Sequence, residues 1–131
     1  MDSAPNMFLL LSHALTDEQV HEAKERFGVA AFRPLPSALQ PLWSNIPAES
    51  DWQPSWLEPI QHWLLQDGKP GDLVVVQGEF GATVYMVEWL RRHRFRSMYA
   101  TSKRQVEETP MPDGTVVTMR TFRHVQFRDY P

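Results

Sequence analysis

Two runs without a single polar residue, residues 7–11 (MFLLL) and 73–76 (LVVV), constrain this chain more than any other feature. A strand with one wet face alternates apolar and polar residues; a strand covered on both faces does not. Such runs predict inner strands of a mainly parallel sheet with helices on both sides. The segments between them agree. Thr16 and Gln19 have capping-box spacing, Val20, Ala23 and Phe27 recur at helical spacing, and Gly28 is a stop. Glu18, Glu22, Lys24, Glu25 and Arg26 are the expected wet face of that helix. Residues 55–66 predict a second helix with Trp56, Leu57, Ile60, Trp63 and Leu64 on one face, and residues 83–93 a third with Val84, Val87 and Leu90 inward.

Residues 29–35 and 95–100 read as further short strands. Residues 36–54 carry four prolines and predict an irregular connection, whose Leu39, Leu42, Trp43 and Ile46 need cover as a docked loop, a flap or a dimer contact. Near the end, residues 104–108 and 115–121 flank Pro112-Asp113-Gly114, a hairpin turn signal. The tail, with Phe122, His124 or Val125, Phe127 and Tyr130 inward, predicts an edge strand. Strands alternating with helices, then a hairpin, give an α/β fold: one Rossmann-like domain over residues 1–131, with an open, mainly parallel sheet.

Composition narrows the chemistry. Without cysteine there is no disulfide, thiolate zinc site or thiol nucleophile, which fits a reducing, cytoplasmic setting. His13, His21, His62, His93 and His124 have no metal-ligand spacing, and no metal or cofactor is expected. No signal-peptide n-region or membrane-length apolar run is present, so no membrane partner is expected. Residues 1–90 have a charge balance of −8 and residues 91–131 one of +5, within a net charge of −3. That asymmetry fits either an acidic surface beside a basic one or a basic site for a compact phosphate ligand; long nucleic acid is a poor match for an acidic chain.

In an open α/β sheet, ligands sit beyond the carboxyl ends of the strands. Three such ends carry polar or basic residues: Ser12 and His13 after the first strand, residues 77–83 (QGEFGAT) after the third, and Thr101, Ser102, Lys103 and Arg104 after the fourth. The segment with Gln77, Gly78, Gly81, Ala82 and Thr83 is neither a dinucleotide fingerprint nor a P-loop. It fits a tight turn capped by Thr83, or a backbone cradle that aims helix N–H groups at an anion. Lys103 and Arg104, expected in a loop, fit a phosphate grip or a solvated turn. Ser12 and His13 add a hydroxyl and an imidazole.

The segments GDLVVVQGEFGATVYMVEWL and MYATSKRQVEE, with the closing pattern of Phe122, His124, Val125, Phe127, Arg128 and Tyr130, resemble small CRISPR-associated proteins of the Csx series, closest to a Csx-twenty-like family. The opening FLLLSHALTDEQ and the segment LWSNIPAE are similar too, so the resemblance spans nearly the whole chain. It implies a CARF-related domain of type III CRISPR immunity, a homodimer, and a cyclic oligoadenylate ligand, foremost cyclic tetra-adenylate. It further implies a metal-independent ring nuclease in which a ribose 2′-OH attacks its own phosphate. Ser12, Gln77, Gly78, Gly81, Ala82, Thr83, Thr101 and Ser102 would then bind the ring, with His13, Lys103 and Arg104 as catalytic candidates. Ser102 stands where a second Thr is expected. A sensor that binds without cutting is the alternative.

Overall fold

The computed structural model describes residues 3–131. Five strands form one sheet: β1 (Asn6–Leu10), β2 (Ala31–Pro34), β3 (Leu73–Val76), β4 (Arg96–Pro110) and β5 (Val116–Asp129). Their order is β2-β1-β3-β4-β5; the first four run parallel and β5 returns antiparallel along β4. The fold is mixed α/β with a C-terminal antiparallel hairpin.

The two all-apolar runs, β1 with Leu11 and β3, lie at the centre and are buried throughout. Alternate residues serve opposite layers. Met7, Leu9, Leu73 and Val75 pack with Ala23 and Phe27 of α1 (Asp17–Phe27), and with Met98 and Phe127. Phe8, Leu10, Val74 and Val76 pack against α3 (Glu58–Asp67) and α4 (Phe80–Arg92). The expected capping box forms in full: Thr16 Oγ1 accepts from the Gln19 amide while Gln19 Oε1 accepts from the Thr16 amide. Gly28 closes α1 at φ 65°, a left-handed conformation that suits glycine.

Several expectations need correction. Residues 36–54 contain a short helix, α2 (Gln40–Ser44), whose Trp43 is buried against the sheet layer, so this segment docks on its own domain. The helix expected over 55–66 is split into a 3₁₀ turn, Pro54–Leu57, and α3. α4 begins at Phe80 and is capped by Glu79 rather than Thr83, which turns Val84 outward.

The largest correction concerns Thr101, Ser102, Lys103 and Arg104. They form no loop; β4 runs through them without a break to Pro110. The fourth strand and the expected separate hairpin are one long ribbon, paired from Met98↔Asp129 to Pro110↔Val116. Beyond Thr101 it leaves the sheet, and residues 102–123 are exposed. The turn is the expected one: Gly114 has φ 87°, and Asp113 Oδ1 accepts from the Thr115 amide at 2.9 Å.

Candidate functional site

The two edges of the sheet differ. At its amino edge a buried carboxylate is fully engaged. The buried Asp72 carboxylate accepts from the Asn6 amide at 3.0 Å, the Lys69 amide at 3.0 Å and Lys69 Nζ at 3.2 Å, tying β1 to β3. At the carboxyl edge, Ser12, His13, Gly78, Ser102, Lys103 and Arg104 are exposed, and Gln77 and Thr101 half-buried. With this strand order the connections part between β1 and β3, where open sheets form a ligand crevice. Ser12 and Gln77 follow those two strands; the Gln77 amide donates to Leu10 O at 3.1 Å and its Oε1 accepts from the Ala100 amide at 3.3 Å, joining β1, β3 and β4 at the rim.

A hollow of about 450 Å³ opens beside β1, lined by Ser12, His13, Leu15, Phe32 and Gln40 among others. Ser12 Oγ lies 3.0 Å from Ser44 Oγ, and Gln40 Nε2 donates to Ser44 Oγ at 2.9 Å and to Leu11 O at 2.8 Å. Sequence reasoning missed Gln40 and Ser44, because a proline-rich connection carries no sign of where it docks. His13 Nδ1 is 3.1 Å from the Ala14 carbonyl. A carbonyl only accepts, so this contact puts the proton on Nδ1 and leaves Nε2 as the basic nitrogen.

The glycine turn is occupied by the protein itself. The Glu79 carboxylate accepts from the Gly81 amide and, at 3.2 Å, from the Ala82 amide; the Thr83 amide donates to Glu79 O at 2.9 Å. Those N–H groups were the expected anion cradle, and a carboxylate already fills it. Gly78 has a packing reason too: a Cβ there would lie 2.8 Å from the Trp43 ring, whose Nε1 donates to Gln77 O at 3.2 Å.

Lys103 and Arg104 are neighbours on a strand, so they project to opposite faces of the ribbon. Lys103 shares a face with Thr101 and Tyr99, Arg104 with Ser102 and Ala100. The two cations therefore lie on opposite faces of the ribbon and do not form a single fork. Among the described residues, neither has a carboxylate within ion-pair distance. Thr101 Oγ1 donates to Gln126 O at 3.1 Å, which ties it to β5.

At the root of the ribbon sits a cluster the sequence did not reveal. His124 Nε2 is 2.6 Å from Glu22 Oε1, and the Glu22 carboxylate also accepts from the Phe127 amide at 2.9 Å and from Arg26 at 2.9 Å. Burial pushes the Glu22 carboxyl up, but hydrogen bonds from His124, Phe127 and Arg26, with the charge of His124, outweigh it and hold its pKa below the usual value. Glu22 is thus an anchor rather than part of a purely wet face. A β-bulge between Thr101 and Ser102 leaves Val125 unpaired, which lets His124 and Phe127 both reach α1. Arg96 and Asp129 hold the ribbon lower down with paired bonds of 2.7 and 2.9 Å. Tyr130 OH donates to Val76 O, and burial raises its pKa.

Among the described residues, no cluster of three or more His, Asp or Glu side chains could hold a metal ion, and no helix is long and apolar enough to cross a membrane. No solved structure matches the chain. Its sequence is 43% identical over 126 residues to "Uncharacterized protein MJ1673" of Methanocaldococcus jannaschii, covering 96% of this chain and 97% of the relative. The profile described as "Uncharacterized protein MJ1673 family" matches residues 5–128. The chain belongs to the MJ1673 family.

Proposed function

We propose that the carboxyl edge of the sheet binds a cyclic oligoadenylate, foremost cyclic tetra-adenylate, and that the chain is a metal-independent ring nuclease with a CARF-like, Rossmann-type domain, acting as a cytoplasmic homodimer in type III CRISPR defence. The observation that carries the ligand class is the pair of exposed cations, Lys103 and Arg104, free of carboxylate partners among the described residues and lying just past Thr101 on the strand that leaves the carboxyl edge, the edge that also carries Ser12, His13 and Gln77. Free cations beside hydroxyl and amide groups suit a phosphodiester. The choice of a cyclic oligoadenylate rests on the Csx-type resemblance. Because Glu79 holds the Gly81 and Ala82 amides, phosphate contact falls to side chains and to the region of Gly78, with Gly81, Ala82 and Thr83 holding the turn in shape.

In the proposed reaction a ribose 2′-oxygen attacks the adjacent phosphorus, the bond from phosphorus to the 5′-oxygen breaks, and a 2′,3′-cyclic phosphate and a 5′-hydroxyl result. His13 Nε2 takes the 2′-proton, solvent supplies the proton for the leaving oxygen, and Lys103 or Arg104 steadies the charge on phosphorus. Holding the ribose in line provides much of the acceleration.

The test is labelled cyclic tetra-adenylate incubated with the protein in EDTA. Linear fragments ending in cyclic phosphate are expected, and an intact ring at excess protein overturns the nuclease. Lys103→Ala should weaken binding or turnover more than Arg94→Ala; equal effects would remove Lys103 from the site. A binding module that does not cut is the second reading, favoured by the exposure of His13, fixed only by its neighbour's carbonyl. Tight retention of uncut ring selects it.

A further inference from the structure

Among the described residues, the three most exposed large apolar side chains are Phe80 at 89%, Phe122 at 74% and Val84 at 71%. All three belong to the carboxyl-edge half of the molecule. Phe80 and Val84 stand on the first turns of α4, where with Trp52, Gly81 and Tyr85 they line an open hollow of about 490 Å³. Phe122 stands on the exposed part of the ribbon, at the edge of a hollow it shares with Thr16, Asp17 and Glu18 at the start of α1, with Val106, Val116, Val117 and Met119 also exposed.

A two-stranded ribbon standing alone is marginal in water. Here it continues for eight residues past Ser102, to Pro110, or roughly 25 Å at about 3.3 Å per residue, in unbroken pairing. That span is comparable to the width of a domain of about 100 residues, whose radius of gyration is about 13 Å. Something must cover such a ribbon, and the same chain offers an uncovered apolar hollow.

Charge selects the partner. Between Arg33 and Lys69 the chain has no Lys or Arg but carries Glu49, Asp51 and Glu58, besides Asp67, which is already paired with Arg33 at 2.7 Å. Trp52, in the wall of the hollow, belongs to that acidic stretch. The ribbon carries Lys103, Arg104 and Arg120, which pair with no carboxylate among the described residues. We infer that the ribbon of one copy lies across the Trp52–Phe80–Val84 hollow of a second copy, and the second ribbon across the first hollow. A two-fold axis makes this reciprocal and closed. Residues 102–123 and the hollow together reach the size of a standard interface side, about 20–30 residues. Nucleic acid suits the ribbon less, since Glu107, Glu108 and Asp113 stand among its cations and Phe122 and Met119 among its exposed groups. Lys103 and Arg104 are also the cations of the proposed ligand site, whereas Phe80, Val84 and Phe122 belong to this surface alone.

Sedimentation velocity of the full chain, with Phe80→Glu and Phe122→Glu, tests the inference. Both residues are exposed, so both variants should keep the wild-type circular dichroism of a folded chain. The wild type should be a dimer, and each variant should raise its dissociation constant about tenfold or more, as loss of an aromatic anchor does. A monomeric wild type or a dimer indifferent to either change overturns it. So does a ribbon that binds single-stranded RNA through Phe122 while the dimer is unaffected.

Discussion

The inner sheet and the free ribbon are built from the same hydrogen bonds and live in opposite surroundings. β1 and β3 are buried on both faces and have no polar side chain beyond Asn6 at the entry to β1. Past Thr101 the ribbon meets another layer only at its root, where Arg123 and His124 reach Glu18 and Glu22 of α1, and beyond that its two strands alternate charged, hydroxyl and apolar residues with no dry side. Backbone pairing alone does not separate a scaffold from a working part. Burial does: the inner sheet is held by its own molecule, while the ribbon depends on its root and on what comes to meet it.

Three substitutions would break or sharpen that contrast. The largest effect belongs to the inner body. Trp43→Ala removes a buried indole from between α2 and the Gln77–Gly78 turn, and should cost about 3–5 kcal/mol in urea unfolding. Its loss should also loosen the rim of the crevice. Next comes the root of the ribbon. Glu22→Gln keeps an acceptor for the Phe127 amide but loses the charged bonds to His124 and Arg26, for an expected loss of about 1–3 kcal/mol at neutral pH. The sign with pH follows from the lowered folded pKa: this contribution is complete above the ordinary value of 4.5 and fades as pH falls through the lower folded value. Wild type should therefore lose stability on acidification over that window, and Glu22→Gln should lose less. Smallest is the ribbon itself. Val106→Thr, far from any layer, should change the stability of the monomer by no more than about 0.5 kcal/mol. A large loss there would mean that the free ribbon is part of the folded core.

What could be read from the sequence follows the same division. The inner strands, the capping box at Thr16 and the Asp113-Gly114 turn were legible because burial, caps and tight turns each demand particular residue types nearby. The continuity of β4 through Thr101, Ser102, Lys103 and Arg104 was not, because an exposed strand of Ser, Lys and Arg has the composition of a loop. Glu79 as the cap of α4 was masked by the glycines and Thr83 around it. The tie between Glu22 and His124 spans 102 residues, a distance over which no local spacing carries information. For the candidate site, the strand ends were legible and their partners were not: Gln40 and Ser44 reach it only through the docking of α2.

Amide hydrogen exchange with and without cyclic tetra-adenylate tests most directly whether the carboxyl edge is the working edge. Protection is predicted at Ser12 and His13, at Gln77 and Gly78, and at Ser102, Lys103 and Arg104, with none added at the amino edge around Asp72. Protection centred on the amino edge, or no change anywhere at saturating ligand, would contradict the account.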